Sequence, residues 1–433
     1  MRKPNVTVVG AGLAGAEAAY RLLSRGYPVT LYEMKPQKRT PAHKGDGFAE
    51  LVCSNSLRSD RIQNAVGLLK EEMRTLGSLI MEAADKTRVP AGGALAVDRE
   101  GFSAYVTEKL KAFPDLTIVE EERKELPASP AILATGPLTS EPMSEAIERR
   151  FGRSLHFYDA AAPIVTYDSL DHEKVFAASR YDRGADYLNC PMTRDEYFAF
   201  YHALVAAETA PLHSFETPRV FEGCMPVEVM AKRGELTLAY GPLKPVGLEV
   251  NGKRPFAVVQ LRRDNADGSL YNIVGFQTNL KFPEQRRVFG MIPGLEHAEY
   301  ARYGVMHRNT FLESPKLLNF DYSLRDDPLL FFAGQMTGVE GYVESASSGL
   351  LAAIAMIEKL EGRKPIDFTS ETAIGALGHY VAEYHGGDFQ PMNVTFGIMD
   401  PLKERVRSKQ ERGERIASRA LLKVRELKET FDL

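Results

Sequence analysis

The sequence predicts an α/β fold, a parallel sheet flanked by helices and interrupted by an inserted α+β domain. Three observations carry that expectation. Residues 5–33 read as strand, glycine turn, helix and strand. Ala131-Ile132-Leu133-Ala134-Thr135-Gly136 and Leu329-Leu330-Phe331-Phe332-Ala333-Gly334 are apolar strands that each run into a glycine. Between them, about Asp168 to Val305 mixes short β-rich runs (Val258–Leu261, Tyr271–Phe276) with one helix, Arg194–Ala207.

The first stretch is the most specific. Asn5–Val9 is a short strand, Gly10-Ala11-Gly12-Leu13-Ala14-Gly15 a glycine turn, and Ala14–Arg25 an Ala/Leu-rich helix. Pro28–Tyr32 is a second strand, and it ends on Glu33. A G-x-G-x-x-G triplet has meaning only in this Rossmann-type context. Gly10 permits the tight turn, Gly12 lets backbone approach a pyrophosphate, and Gly15 lets helix and strand pack closely. The pyrophosphate then lies on the helix N-terminus, where unpaired N–H groups converge. Glu33 follows Gly10 by 23 residues, near the ~20 of a carboxylate that holds a ribose 2′-OH. A carboxylate there repels a 2′-phosphate, so this site is expected to hold FAD or NAD and not NADP.

A chain of 433 residues, 44% apolar and 26% charged, is expected to form two domains. No stretch approaches the roughly 18 uninterrupted apolar residues of a membrane span. Met1-Arg2-Lys3 superficially opens like a signal peptide, but removal of the following apolar residues would destroy the nucleotide turn. Three cysteines (Cys53, Cys190, Cys224), spaced 137 and 34 apart, suit neither a disulfide framework nor a metal motif. A reducing, cytoplasmic setting without metal or membrane is expected. The net charge of −4 hides a segregation. Leu402–Glu429 holds ten Lys/Arg against five acids, a surplus of +5 that leaves −9 elsewhere. That pattern suits a phosphate-facing patch or a solvated helix laced with Glu/Lys pairs.

Along the chain, Met34–Glu50 reads as a polar loop, and Ile62–Ala84 shows a helical period. A helix is expected from about Gly101 to Ala112 and a strand at Thr117–Val119. After Gly334 come Gln335-Met336-Thr337-Gly338-Val339-Glu340-Gly341-Tyr342 and a helix over Glu344–Lys359. A glycine-rich turn before a helix offers a second set of backbone donors. Helices at about Thr369–His385 and Pro401–Thr430 finish the chain.

The apolar strand into Ala134-Thr135-Gly136 resembles the return of the chain to the nucleotide in FAD domains of the glutathione-reductase type. In those proteins the region 20 residues past Glu33, where Cys53 stands, runs under the flavin ring. Their second cysteine has no counterpart, because Arg58 stands five residues after Cys53. A single thiol beside a flavin suits a nucleophile or a general acid/base; the alternative is a small buried residue. Cys224 lies in Phe221-Glu222-Gly223-Cys224-Met225-Pro226, a loop by its Gly and Pro. Cys190 has less around it and reads as structural. No second G-x-G-x-x-G occurs, so a pyridine nucleotide would have to dock directly on the flavin face.

Val6–Gly15, Leu51–Ser59 (LVCSNSLRS), Val97–Ser103 (VDREGFS), Phe221–Ala231 (FEGCMPVEVMA), Tyr271–Leu280 (YNIVGFQTNL) and Gly334–Leu350 (GQMTGVEGYVESASSGL) resemble the folate-dependent tRNA uracil-5 methyltransferases, the TrmFO family. Asn279 and Ser347 depart from the commonest family residues. The resemblance implies an FAD-binding domain over 1–165 and 306–433, with the α+β domain inserted over 166–305. It implies methyl transfer from methylenetetrahydrofolate to C5 of a T-loop uridine in tRNA, with NADH or NADPH reducing the FAD. The family carries catalytic cysteines at the positions of Cys53 and Cys224. Cys224 is expected to add to uracil C6 and Cys53 to act as base or guard the transferred carbon, although either thiol suits either step. Gly10, Ala11, Gly12, Leu13, Ala14, Gly15, Glu33, Thr135, Gly136, Gly334, Gln335, Gly341 and Tyr342 are the expected cofactor residues. Tyr342 is a candidate to stack on the folate pterin or to pack in the core. Extrusion of the uracil from a folded T-loop calls for a basic rim, for which the C-terminal helix, Arg286-Arg287 and Arg262-Arg263 are candidates. Competing expectations are a small-molecule FAD oxidoreductase, which needs neither Cys224 nor the rim, and a flavoprotein that binds tRNA without turnover.

Overall fold

The computed structural model describes residues 3–40, 42–152, 155–181, 184–211, 225–386 and 389–433, with backbone alone for 155–159, 307, 308 and 310. The α/β expectation holds. Five parallel strands form one sheet in the order Leu330–Phe332, Ala131–Leu133, Val6–Val9, Val29–Glu33, Leu116–Glu120. Strands Val6–Val9, Ala131–Leu133 and Leu330–Phe332 are largely buried, which is why they read as continuous apolar runs. Helix Leu13–Ser24 packs on this sheet and against helix Tyr342–Leu360. Their closest approach is at Gly349, where an added Cβ would strike the Ala14 carbonyl. One apolar core runs through the sheet, these helices and the C-terminal helices.

A second sheet of six strands lies between Ile164 and Arg302, in the order Phe176–Ala177, Tyr187–Met192, Ala257–Arg263, Leu270–Ile273, Ile164–Thr166, Tyr300–Arg302. Its five pairings are all antiparallel, and it has its own core around Tyr197, Phe200, Phe276 and Phe289. A two-stranded antiparallel ribbon, Leu155–Ala160 with Met306–Phe311, joins the two bodies. Neither this ribbon nor the small sheet of Ser56–Ser59, Arg88–Val89 and Ala94–Val97 is visible in the periodicity of so few residues.

Two expected helices differ. Ile62–Ala84 is two helices, Ala65–Thr75 and Leu79–Lys86. Gly77 at φ +76° turns the chain between them, and the Ser78 hydroxyl accepts from Met81 N at 3.2 Å to start the second. The C-terminal helix is Lys409–Phe431, not Pro401–Thr430, and begins where the Ser408 hydroxyl accepts from Glu411 N. No described helix is long and apolar enough to cross a membrane.

Candidate active site

The site is a cleft at the carboxyl ends of the parallel strands, where open α/β sheets bind ligands. Gly10 sits at φ +95°, and a Cβ there would lie 2.5 Å from the Ala134 carbonyl oxygen. Gly15 is pressed on the Gly10 carbonyl so that any side chain would collide with it. Nothing lies within 4 Å of a Cβ on Gly12, and this residue caps helix Leu13–Ser24 without a side-chain hydrogen bond. No acidic residue stands in that helix's first turn. The N-terminus therefore presents free donors and a positive dipole end to open space.

Glu33, buried at the end of its strand, accepts from Ala11 N at 3.0 Å and from Lys35 N at 3.1 Å. Both carboxylate oxygens are thus oriented, with lone pairs left for a hydroxyl donor. Gly10, Gly12, Leu13, Ala14, Glu33, Thr135, Gly136, Gly334, Gln335 and Tyr342 all line the cleft. Ala11, Gly15 and Gly341 do not, and instead shape it. Two further lining residues carry buried donors without a hydrogen-bond partner among the described residues, Arg123 Nε and Asn309 Nδ2. Unsatisfied buried donors are costly, and aimed into a cleft they fit a ligand rich in acceptors. An open helix N-terminus, an oriented carboxylate with lone pairs to spare and these donors fit a dinucleotide. Arg123 was legible in principle, since it follows the strand beside Glu33; Asn309 has no sequence signal.

Cys53, half-buried, lines the same cleft. Its thiol donates to the Ala160 carbonyl at 3.6 Å. The Tyr342 hydroxyl oxygen accepts from Cys53 N at 2.6 Å and from Ser54 N at 3.1 Å. Burial pushes the Tyr342 phenol well above its ordinary range, so it stays protonated while accepting both bonds. Tyr342 is neither a plain core residue nor only a ring facing the cleft, because it ties the Cys53 loop to the second helix N-terminus. At that terminus Gly341 has φ +114°, and Glu344, fully buried, pairs with Arg58 and accepts from Val394 N at 3.0 Å.

Cys224 lies outside the described residues. Just beyond it, Glu228 accepts from Asn279 N and from the Thr278 hydroxyl, each at 2.8 Å. Asn279 and Ser347 do not line the cleft. Asn279 Nδ2 donates to the Ala210 carbonyl at 3.0 Å, and the Ser347 hydroxyl donates to the Glu344 carbonyl at 2.8 Å. Cys190 is fully buried in the antiparallel sheet, and burial pushes its thiol up. Among the described residues no group of three or more His, Cys, Asp or Glu could hold a metal ion.

The rim candidates divide. Arg286 packs over the Tyr303 ring and Arg287 pairs with Glu284 on the exposed side of helix Phe282–Phe289. Arg262 is not on the rim. It is buried, donating to Asn55 Oδ1 at 3.1 Å and to the Ser54 hydroxyl at 2.8 Å. On the C-terminal helix Arg415 pairs with Glu404 and Glu411, and Lys423 with Glu426. Arg419 and Lys428 hold backbone carbonyls.

The model of the family described as glucose inhibited division protein A matches residues 5–364. A protein of Heliobacterium modesticaldum named methylenetetrahydrofolate--tRNA-(uracil-5-)-methyltransferase TrmFO is 62% identical, over 96% of this chain and 96% of its own. A protein of the same name from Bacillus licheniformis is 59% identical, over 98% of this chain and 99% of its own. The solved structure of Aquifex aeolicus GidA in its form I crystal superposes with TM-score 0.72 at 17% identity, over 98% of this chain and 76% of that one. That likeness concerns the fold alone. With the glycine cradle and Cys53 in one cleft, and identity near 60% over almost the whole length, this chain belongs to the TrmFO family.

Proposed function

We propose that this chain methylates C5 of a T-loop uridine in tRNA, taking the carbon from methylenetetrahydrofolate and using FAD reduced by NADH or NADPH. The observation that carries the reading is the placement of Cys53 in one cleft with both glycine turns. When bound, FAD supplies the electrons that bring the transferred carbon to the methyl level. The Leu13 helix N-terminus holds its diphosphate and Glu33 a ribose hydroxyl. Arg123 Nε and Asn309 Nδ2 supply further donors. A tRNA substrate fits a reaction in the cytoplasm.

Uracil C5 is a poor nucleophile. Thiolate addition at C6 turns the ring into an enolate with carbanion character at C5, and we assign that addition to Cys224. After the carbon has joined C5, a base must remove the C5 proton so that the thiol can leave, and we assign that step to Cys53. The Tyr342 hydroxyl, by holding the backbone of Cys53 and Ser54, fixes where that thiol stands. Arg286, Arg287 and the unpaired basic residues of the C-terminal helix supply the rim for the RNA backbone.

The test uses the purified flavoprotein, an unmodified tRNA transcript and NADH, with labelled methylenetetrahydrofolate in one tube and labelled S-adenosylmethionine in another. Label in the T-loop uridine from folate alone is expected; label from neither donor, with flavin bound and reducible, overturns the reading. Cys224→Ala and Cys53→Ala should each abolish transfer with FAD retained. Trapping on 5-fluorouridine tRNA separates the two roles, since the C6 adduct should survive only in Cys53→Ala.

A further inference from the structure

We propose that Arg302 and Arg262 form an anion site behind Cys53, and that its ligand is a phosphodiester of the extruded target nucleotide. The proposal rests on the function proposed above. Arg302 ends the edge strand Tyr300–Arg302 and is 9% exposed. Among the described residues its side chain donates to the Ala42 carbonyl, at 3.5 Å, and forms no ion pair. Among the described residues the Arg262 side chain, 7% exposed, donates to the neutral side chains of Asn55 and Ser54, directly after Cys53 in the chain. Burial pushes both guanidinium groups below their ordinary range, and both feel the charges of Arg99, Asp264 and Cys53.

Neither nearby acid pairs with these two arginines among the described residues, although Glu50 Oε2 is left without a hydrogen bond. Asp264 takes a two-pronged bond from Arg99, at 2.7 and 3.1 Å. Glu50 faces Lys35 at 3.6 Å and accepts from Lys44 N at 2.8 Å. Lys44 adds a further cation, held below its usual range by burial and by Arg302 and Arg99. A buried charge without an ion-pair partner is costly, so the two arginines call for an anion from outside the described residues.

Three anions could approach: the cofactor diphosphate, the folate carboxylates and an RNA phosphate. The diphosphate has its own cradle at Gly12. The folate carboxylates sit beyond a p-aminobenzoyl spacer from the carbon that is transferred, so they reach away from the thiol. A phosphodiester is bonded through one ribose to the uracil that must meet Cys53, and extrusion brings it along. The guanidinium fork matches phosphate oxygens in pairs.

The experiment compares the full flavoprotein with Arg302→Gln, Arg302→Lys and Arg262→Gln. Arg302→Gln should raise KM for tRNA by about tenfold and leave KM for methylenetetrahydrofolate within about twofold. The slope of log affinity against log salt should become shallower by about one. Arg302→Lys should recover part of the tRNA affinity, because it keeps the charge and loses the fork. A rise in folate KM with tRNA KM unchanged would assign the site to the folate tail and overturn the proposal, as would no change in either. Should the variants lose flavin, competition on the wild type decides: thymidine 5′-monophosphate must inhibit or quench the flavin better than thymidine, by about tenfold. Equal potency overturns the anion site. That competition also separates the two readings, since it needs no methyl transfer. If the wild type takes no label from folate yet discriminates the monophosphate, the proposed function fails and the anion site stands.

Discussion

The two helices that start at the cleft begin in opposite ways. Leu13–Ser24 starts from Gly12 with no side-chain cap, no acid in its first turn and open space in front. Tyr342–Leu360 starts from Gly341 with buried Glu344 in its first turn, locked to Arg58 and to Val394 N. Elsewhere the molecule closes helix N-termini with carboxylates from other elements. Glu17 accepts from the Ser78 hydroxyl, Leu79 N and Ile80 N, and Glu72 from Ala373 N and Ile374 N. Against those two, the Leu13 end is uncapped and opens on the cleft, which suits an outside anion. The Tyr342 end has its dipole answered internally and is used to place the Cys53 loop.

The sharpest way to break this difference is to make the first terminus like the second. Gly12→Asp fits sterically, since a Cβ there meets nothing within 4 Å, and puts a negative charge where the diphosphate would lie. Like charges so placed cost several kcal/mol, so FAD affinity should fall by roughly a hundredfold or more. Flavin absorbance of the purified protein reads this, with unchanged circular dichroism as the control; a full flavin complement contradicts the assignment. Glu344→Ala, the reverse change, should destabilise by about 3 kcal/mol, because it strands the Val394 N–H and leaves the partly exposed Arg58 without its partner. Thermal unfolding measures it, and Glu344→Gln should lose less.

Tyr342→Phe keeps the ring and removes the acceptor for Cys53 N and Ser54 N. A loss of about 1–2 kcal/mol in stability is expected. The Cys53 alkylation rate should shift and kcat fall more than the folate KM rises, a split that simple loosening of the core would not produce. A further expected effect concerns the two internal carboxylates. Burial raises Glu17 and Glu72 from 4.5 to about 7. The folded state therefore holds those protons more tightly than the unfolded chain, and stability should decline as pH rises from about 4.5 to 7. Glu72→Gln should flatten part of that decline in denaturant melts across this window; an unchanged slope refutes the shift.

Much of the nucleotide half was legible because its signals are local. Strand, glycine turn, helix and acid occupy residues 5–33, and their geometry follows from sterics within that stretch. The break at Gly77 was hidden because apolar residues keep a helical period on both sides of it, and the period does not record a change of axis. Arg262 looked like a rim residue because it is charged and adjoins Arg263; its strand neighbours turn it inward, onto the Cys53 loop.

The sequence by itself determined the α/β class, the glycine turn, the acid that ends the second strand and, through its resemblance, the family. Each depends on residue types at fixed short spacing, where covalent geometry leaves few alternatives. Tertiary structure decided what depends on distant partners. It joined the Tyr342 hydroxyl to a backbone 289 residues away, brought Asn309 to the cleft, and left Arg302 buried without an ion-pair partner among the described residues. Spacing along the chain cannot encode such contacts, because burial and charge pairing are properties of surfaces that exist only after the two sheets have packed together.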